Sequence, residues 1–132
     1  MIFGLLLFIS SSLIANNHKC EILFLWETSS GLAWKEFGDM GTQPKYQGQV
    51  KYGIPNGLGI IIYLDGSTYV GGWKNGKYNG QGTFTKPDGT KYIGSWKIID
   101  GVSSHWNGNY YDEDGIIKYK WVNGKLVKQY KS

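Results

Sequence analysis

The sequence contains no arginine, one cysteine and three prolines in its 132 residues. Without arginine the chain lacks the planar guanidinium that binds bases and carboxylates in a bidentate manner, which argues against a nucleic-acid-binding protein. The single cysteine, Cys20, cannot form an intramolecular disulfide, so the fold is not a disulfide scaffold. Three prolines are too few for a proline-rich linker.

Glycine and aromatic residues, by contrast, are abundant. The 20 glycines exceed the average share of roughly 7%. Aromatic residues make up 16% of the chain, whereas disordered segments are poor in them. A folded chain with many turns and many rings favours all-β structure.

Basic residues are concentrated after residue 44. Residues 1–44 hold two lysines against four acidic residues, whereas residues 45–132 hold twelve lysines against six, for a net charge of +4. Lysine is a compact point charge that attracts anionic surfaces, although a diffuse lysine coat more often serves solubility.

The first fifteen residues, "MIFGLLLFISSSLIA", have the pattern of a secretory signal peptide. An apolar run over residues 2–9 precedes three serines and the small residue Ala15. The run is shorter than the ~20 residues that a membrane-spanning helix needs. We therefore expect a signal peptide over residues 1–15 and export to the periplasm, the extracellular space or the cell surface. Because a positively charged n-region is missing, an uncleaved signal anchor and a buried N-terminal strand are the alternatives.

A period of 23 residues runs through the centre of the chain. Similar residues recur at this spacing: Tyr46, Tyr69 and Tyr92; Gly48, Gly71 and Gly94; Val50, Trp73 and Trp96; Gly57 and Gly80; Gly59 and Gly82; Ile61 and Phe84. Two complete copies occupy residues 46–68 and 69–91, and a third begins at Tyr92 and loses the pattern after Lys97. So many coincidences at one offset indicate a repeat array.

Each copy is predicted to form a β-hairpin. Tyr69, Gly71 and Trp73 alternate onto one face of a strand. The dipeptide Asn75-Gly76 is a strong signal for a two-residue hairpin turn, and "KPDGT" is a turn signal that leads into the next hairpin.

The interleaving of glycines and aromatic residues has a structural reason, because both lie on the same face of the predicted strands. A glycine leaves a slot in which a neighbouring ring lies flat on the backbone. We expect Tyr69 and Trp73 to pack across Gly80 or Gly82 of the paired strand, or across Gly94 of the next copy. Stacked copies supply the burial that an isolated hairpin lacks.

These segments resemble the MORN repeat family. Its motif looks like Tyr-x-Gly-x-Trp/Phe, a short turn, Gly-x-Gly, an aromatic segment and Asp-Gly. "YVGGWKNGKYNGQGTFTKPDG" matches nearly every position, "YQGQVKYGIPNGLGIIIYLDG" has Val50 in place of the aromatic residue, and "YIGSWK" matches the first strand alone. The resemblance covers about residues 46–97. It implies an elongated antiparallel meander of consecutive hairpins, scaffolding or self-association, in some members lipid binding, and no reaction.

The flanks complete the predicted organisation. Residues 16–44 are expected to form an N-terminal β-hairpin cap, residues 45–99 the MORN repeats, and residues 100–132 a degenerate repeat with C-terminal strands. In this last part we expect strands near 105–111 and 116–121, a final strand near 125–130, and a loop or an irregular turn over 98–105. Trp121 is interpreted as an echo of Trp73 at an offset of 48.

No catalytic, cofactor-binding or metal-binding residue is predicted. His105 is interpreted as a surface residue of a loop, because no ligand or triad partner accompanies it. The carboxylates of Asp112, Glu113 and Asp114 lack the spacing of a calcium loop and are interpreted as an acidic turn. An enzyme that would use these carboxylates with Tyr111 is the least favoured hypothesis.

The predicted function is therefore a non-catalytic module that binds a protein partner or assembles with itself, since open sheet edges accept added strands. The alternative is a peripheral binder of anionic lipid. Its contacts would be the lysines at turns and strand ends, Lys74, Lys77, Lys86, Lys91 and Lys97. Export would keep such a protein away from cytoplasmic phosphoinositides, which counts against this alternative.

Overall fold

The computed structural model of this protein describes residues 19–129, which form ten β-strands and no helix. Strands β1 to β10 run over Cys20–Thr28, Gly31–Lys35, Lys45–Lys51, Ile54–Ile62, Thr68–Lys74, Lys77–Thr85, Lys91–Ile99, Val102–Tyr111, Ile117–Val122 and Lys125–Gln129. The predicted signal peptide lies outside the described residues. Within them, no helix is long and apolar enough to cross a membrane.

All ten strands belong to one antiparallel sheet, which confirms the predicted all-β fold. The strand order is β10-β9-β8-β7-β6-β5-β4-β3-β1-β2, so β3 to β10 form a continuous meander. At the N-terminal end, β1 rather than β2 pairs with β3, and β2 lies at the edge. β1 therefore has a paired neighbour at both of its edges. Leu23, in the middle of β1, is fully buried.

Two kinds of turn alternate along the meander. At one end of the strands, two-residue turns have positive φ at both residues, as in a type I′ hairpin: Tyr52-Gly53, Asn75-Gly76, Asp100-Gly101 and Asn123-Gly124. At the other end, the turns contain Asp-Gly. There the aspartate accepts backbone N–H groups, for example that of Ser67 on Asp65 (2.8 Å) and that of Thr90 on Asp88 (2.9 Å).

Residues 98–105 form the tip of a regular hairpin, so the expected loop or irregular turn is wrong. Ile98 and Ile99 continue β7 and pair with Ser103 and Val102 of β8 around the turn Asp100-Gly101. The third hairpin is therefore longer than those before it. The predicted boundary between residues 99 and 100 falls at the tip of this hairpin. The C-terminal strands are confirmed, at Val102–Tyr111, Ile117–Val122 and Lys125–Gln129.

The two faces of the sheet differ in chemistry. The face that we call the aromatic face carries Tyr46, Tyr69 and Tyr92, all almost completely buried. The opposite face, which we call the aliphatic face, carries Ile60, Val70 and Ile93 in register across β4, β5 and β7. The core cluster lies on the aromatic face: Leu23, Tyr46, Ile61, Tyr69, Trp73, Tyr92 and Trp96.

The sheet curls toward its aromatic face at the N-terminal end. Trp34 on β2 packs edge-to-face against Trp73 on β5 with ring centroids 6.1 Å apart, although three strands lie between them in the sheet. The turn between β5 and β6 bends the same way, because the Gly76 N–H donates to the Pro55 carbonyl at 2.9 Å. The N-terminal hairpin thus covers the start of the repeat array.

Candidate interaction site

Tyr69 shows how a ring and two glycines fit together. A Cβ atom at Gly82 would lie 2.5 Å from Cζ of Tyr69, and one at Gly71 would lie 3.0 Å from its hydroxyl. A side chain at either glycine would therefore force the ring of Tyr69 to move. The Tyr69 hydroxyl donates to the Gly72 carbonyl at 2.9 Å, so the buried phenol is satisfied.

The same arrangement recurs in the neighbouring hairpins. Each ring lies over two facing glycines and donates to the carbonyl three residues ahead: Tyr46 over Gly48 and Gly59, to Gln49 (2.6 Å); Tyr92 over Gly94 and Gly108, to Ser95 (2.9 Å). Burial raises the pKa of all three tyrosines, which keeps their hydroxyls protonated and able to donate.

The tryptophans connect each hairpin to the preceding one. Trp73 Nε1 donates to the Gly59 carbonyl at 3.2 Å, and Trp96 Nε1 donates to the Gly82 carbonyl at 3.3 Å. The expectation that Trp73 packs across a glycine of β6 or β7 is therefore wrong. On the β6 side its neighbour is Tyr78, at 5.0 Å between ring centroids, and the indole N–H finds its acceptor on β4 instead.

Gly57 and Gly80 do not form ring slots. Their φ angles are +110° and +84°, and a Cβ at Gly80 would meet no atom within 4 Å. Gly80 lies in a bulge of β6, between the pairs Gly71–Gly82 and Trp73–Tyr78. Its role is to supply a backbone conformation that other residues rarely adopt.

His105 is a half-buried residue of β8, so its interpretation as a surface loop residue is wrong. Its ring stacks on Tyr92 at 4.0 Å and meets Trp121 at 4.8 Å. It takes the place that Tyr78 has in the preceding hairpin, where Tyr78 stacks on Tyr69 at 3.6 Å. Burial among rings lowers the pKa of His105 and favours the neutral imidazole.

Trp121 is not the structural counterpart of Trp73. It faces Gly108 on β8, whereas Trp73 faces Gly57 on β4. Gly108 also faces Gly94, so Trp121 occupies a position that glycine holds earlier in the array. A register shift in the pairing of β8 with β9 moves Trp121 out of the repeat pattern.

Four of the five lysines singled out for anionic contact share the aliphatic face. By strand alternation and pairing these are Lys74, Lys77, Lys91 and Lys97. Lys86 lies in a turn, with Nζ 5.7 Å from the ring centroid of Tyr110. Strands β3–β10 contain no Asp or Glu, because the acidic residues after position 44 all lie in turns.

The carboxylates at residues 112–114 form a turn. Asp112 accepts the N–H groups of Asp114 (3.0 Å) and Ile116 (2.9 Å) and lies 3.4 Å from the Lys118 ammonium group. The backbone N–H of Ile116 is the main cause that lowers the pKa of Asp112. No group of side chains suited to a metal ion occurs in the described part of the chain.

The sheet also has two uncovered edges. Among the described residues, β2 pairs with β1 alone and β10 pairs with β9 alone. On β10, Leu126 is 57% exposed and Val127 is 59% exposed. The sequence predicted open sheet edges, and the structure assigns them to β2 and β10.

Comparison with known families agrees with this architecture. The MORN repeat family model matches residues 46–68 and 69–91, the two segments with the 23-residue period. The chain therefore contains two MORN repeats, and such repeats generally mediate binding to proteins or membranes. No curated protein matches the chain significantly.

Proposed function

We propose that this chain, whose centre consists of two MORN repeats, is a non-catalytic module that binds a protein partner or a second copy of itself. The observation that carries the proposal is the open edge of β10, which pairs with β9 and with no other described strand. An uncovered edge strand presents free N–H and C=O groups to an added strand.

The side chains of β10 favour an apolar partner strand. Leu126 and Val127 are both more than half exposed, and residues on successive positions of a strand point to opposite faces. A partner strand paired with β10 would cover both side chains at once. The neighbouring lysines, such as Lys125, favour a partner with acidic residues beside its apolar ones.

Substitution of Val127 by glutamate tests this surface. Val127→Glu is expected to abolish self-association or partner capture, because it places a charge on the edge strand. Val102→Glu is the matched control, since Val102 is 63% exposed on β8, away from either edge. Light scattering and pull-down with both variants give the comparison. A strict monomer that captures no partner, or equal loss in both variants, would contradict the proposal.

Anionic lipid is a second candidate ligand, favoured by the aliphatic face. This face combines lysines that form no ion pair with a described residue, such as Lys91 and Lys97, with partly exposed aliphatic side chains such as Ile93 (41%) and Leu58 (39%). Its strands β3–β10 carry no carboxylate. Lysines near an anionic bilayer contribute about 1 kcal/mol each. Apolar side chains among them can enter the interfacial region.

Co-sedimentation with vesicles separates this candidate from protein binding. We expect binding to phosphatidylcholine vesicles that contain phosphatidylglycerol, and a decrease as salt is raised. The double variant Lys91→Gln/Lys97→Gln should bind more weakly, whereas Lys86→Gln, in a turn, serves as the control. Binding that does not depend on anionic lipid or on salt would rule out this function.

We further propose that the protein is exported by its first fifteen residues. The apolar run followed by Ala15 supports this proposal. N-terminal sequencing of the mature chain should find cleavage near Ala15. An intact Met1 in a soluble cytoplasmic fraction would contradict export.

A further inference from the structure

Tyr52 adopts a backbone conformation that its side chain does not favour. It is the first residue of a two-residue turn with φ +53°, and the corresponding residues of the other three turns are Asn75, Asp100 and Asn123. Asn and Asp tolerate this left-handed region, whereas bulky residues rarely adopt it. Tyr52 is also 92% exposed, so packing does not compensate for its conformation. A residue held in this way suggests a function.

Tyr52 lines a cleft of about 500 Å³ that also includes Asn75 of the next two-residue turn. Lys51 and Lys74, equivalent residues of the two MORN repeats, line the cleft. Lys51 Nζ lies 5.6 Å from the ring centroid of Tyr52. Neither lysine forms an ion pair with a described residue, and no carboxylate lines the cleft.

Three asparagines also line the cleft. Asn56, Asn75 and Asn79 all border the cleft, and none of their side chains hydrogen-bonds to another group in the described part of the protein. Each amide offers a carbonyl acceptor and an NH₂ donor. A simple anion only accepts hydrogen bonds and would leave the amide carbonyl groups without a partner. These carbonyl groups are therefore suited to a ligand that also donates hydrogen bonds.

We propose that this cleft binds an anionic saccharide, that is, a sugar ring with hydroxyl groups and a carboxylate, sulfate or phosphate substituent. The Tyr52 ring would pack against the apolar face of the sugar. The three amides would exchange hydrogen bonds with its hydroxyls. Lys51 and Lys74 would bind the anionic group, for which a lysine ammonium is a suitable point charge.

Tyr52→Asn separates this role from folding. The substitution gives the turn the residue that two of the other turns have, so the unfolding temperature of the variant should equal or exceed that of the parent chain. Binding of the probe, a galacturonic acid trimer, should weaken roughly tenfold or more, as expected when an aromatic anchor is lost. Chemical-shift titration of the full chain measures both the affinity and the residues that respond.

Lysine variants and other probes complete the experiment. Lys51→Gln/Lys74→Gln should reduce the preference for the galacturonic acid trimer over maltotriose, a neutral trimer. Lys77→Gln, outside the cleft, should bind as the parent does. If the trimer does not bind, if Tyr52→Asn binds equally well, or if inorganic phosphate or oligoglutamate binds as tightly as the trimer, the proposal is wrong. Edge-strand variants such as Val127→Glu should leave this binding unchanged, which distinguishes it from the protein-binding function.

Discussion

Gly82 and Gly80 lie two residues apart on β6, but a methyl group added to each would meet different surroundings. At Gly82 it would overlap the ring of Tyr69, whereas at Gly80 it would meet no atom within 4 Å. The constraint at Gly80 is its φ of +84°. One glycine is thus required by a neighbouring ring and the other by the backbone.

Alanine substitutions should separate these two requirements. Gly82→Ala is expected to lower the free energy of unfolding by about 3 kcal/mol, because the ring of Tyr69 must shift in a packed face. Gly80→Ala should cost about 1 to 2 kcal/mol, the penalty of the left-handed conformation alone. Urea denaturation of both variants measures the difference. Equal losses would show that the ring does not occupy the slot.

His105 makes stability depend on pH. Because burial lowers its pKa, the folded state binds the proton more weakly than the unfolded chain, whose histidine titrates near about 6.5. The stability that the neutral His105 contributes is therefore fully present above about pH 6.5. It is lost as the pH falls through the lowered pKa of the folded state. The rings that contact it, Tyr92, Trp96 and Trp121, are uncharged there and offer no counter-ion.

His105→Tyr should remove this dependence. The variant has the residue type that Tyr78 provides one hairpin earlier, so we expect the fold to be kept. Between pH 7.5 and 5 the melting temperature of the parent should fall more than that of the variant, because the variant keeps every other titrating group. If circular dichroism shows that the melting temperatures of the parent and the variant change equally with pH, His105 is not buried as a neutral residue.

At the level of single residues, the sequence predicted part of the site. Period-2 alternation and the 23-residue spacing together identified Tyr69 and Gly82 as residues of one face, and the structure places them in contact. His105 could not be predicted, because its equivalence with Tyr78 spans 27 residues instead of 23. The extra residues belong to the lengthened third hairpin and hide the correspondence from any search at a fixed offset.

Hairpins are the elements that the sequence predicted best. Asn75-Gly76 gave the right turn, and the turn Asp100-Gly101 follows the same rule, with φ angles of +50° and +77°. The segment over residues 98–105 was nevertheless expected to be a loop or an irregular turn, since the repeat pattern ends at Lys97. Local turn chemistry decided the structure there, and repeat spacing did not.

Hydrogen exchange should rank the strands by their position in the sheet. Amides of β2 and β10 are expected to exchange fastest, because each strand has one neighbour among the described residues, and amides of β5 and β6 slowest. Exchange measured by NMR gives the order. Protection in β10 as strong as in β6 would mean that its edge is covered, by self-association or by a part of the chain outside the described residues.

For the whole molecule, the N-terminal hairpin and the repeats form one curled sheet. The contact between Trp34 and Trp73 joins strands that are far apart in the pairing order, and Trp34 also meets Tyr46 at 5.8 Å. The sequence predicted a hairpin at this end, and the structure has one. It did not predict that β2 would lie at the edge, because the position of β2 depends on contacts with residues some forty positions away.

Removal of the Trp34 side chain tests this coupling. Trp34→Ala should lower the free energy of unfolding by about 3 kcal/mol, the lower end of the range for a large aromatic side chain, because Trp34 is half-buried against the core cluster. Trp26→Ala is the control in the same hairpin, since the aromatic ring that Trp26 contacts is Phe37, which also lies outside the repeats. If both variants lose the same stability, the hairpin does not cap the array through Trp34.

The central claim is that a tyrosine ring lies on two facing glycines in each of three successive hairpins. NMR tests this most directly, through the Hα resonances of Gly59, Gly82 and Gly108 and their contacts with Tyr46, Tyr69 and Tyr92. We predict nuclear Overhauser effects within each pair and glycine Hα signals shifted upfield by the ring currents. Glycine signals at ordinary positions, without such contacts, would contradict the account.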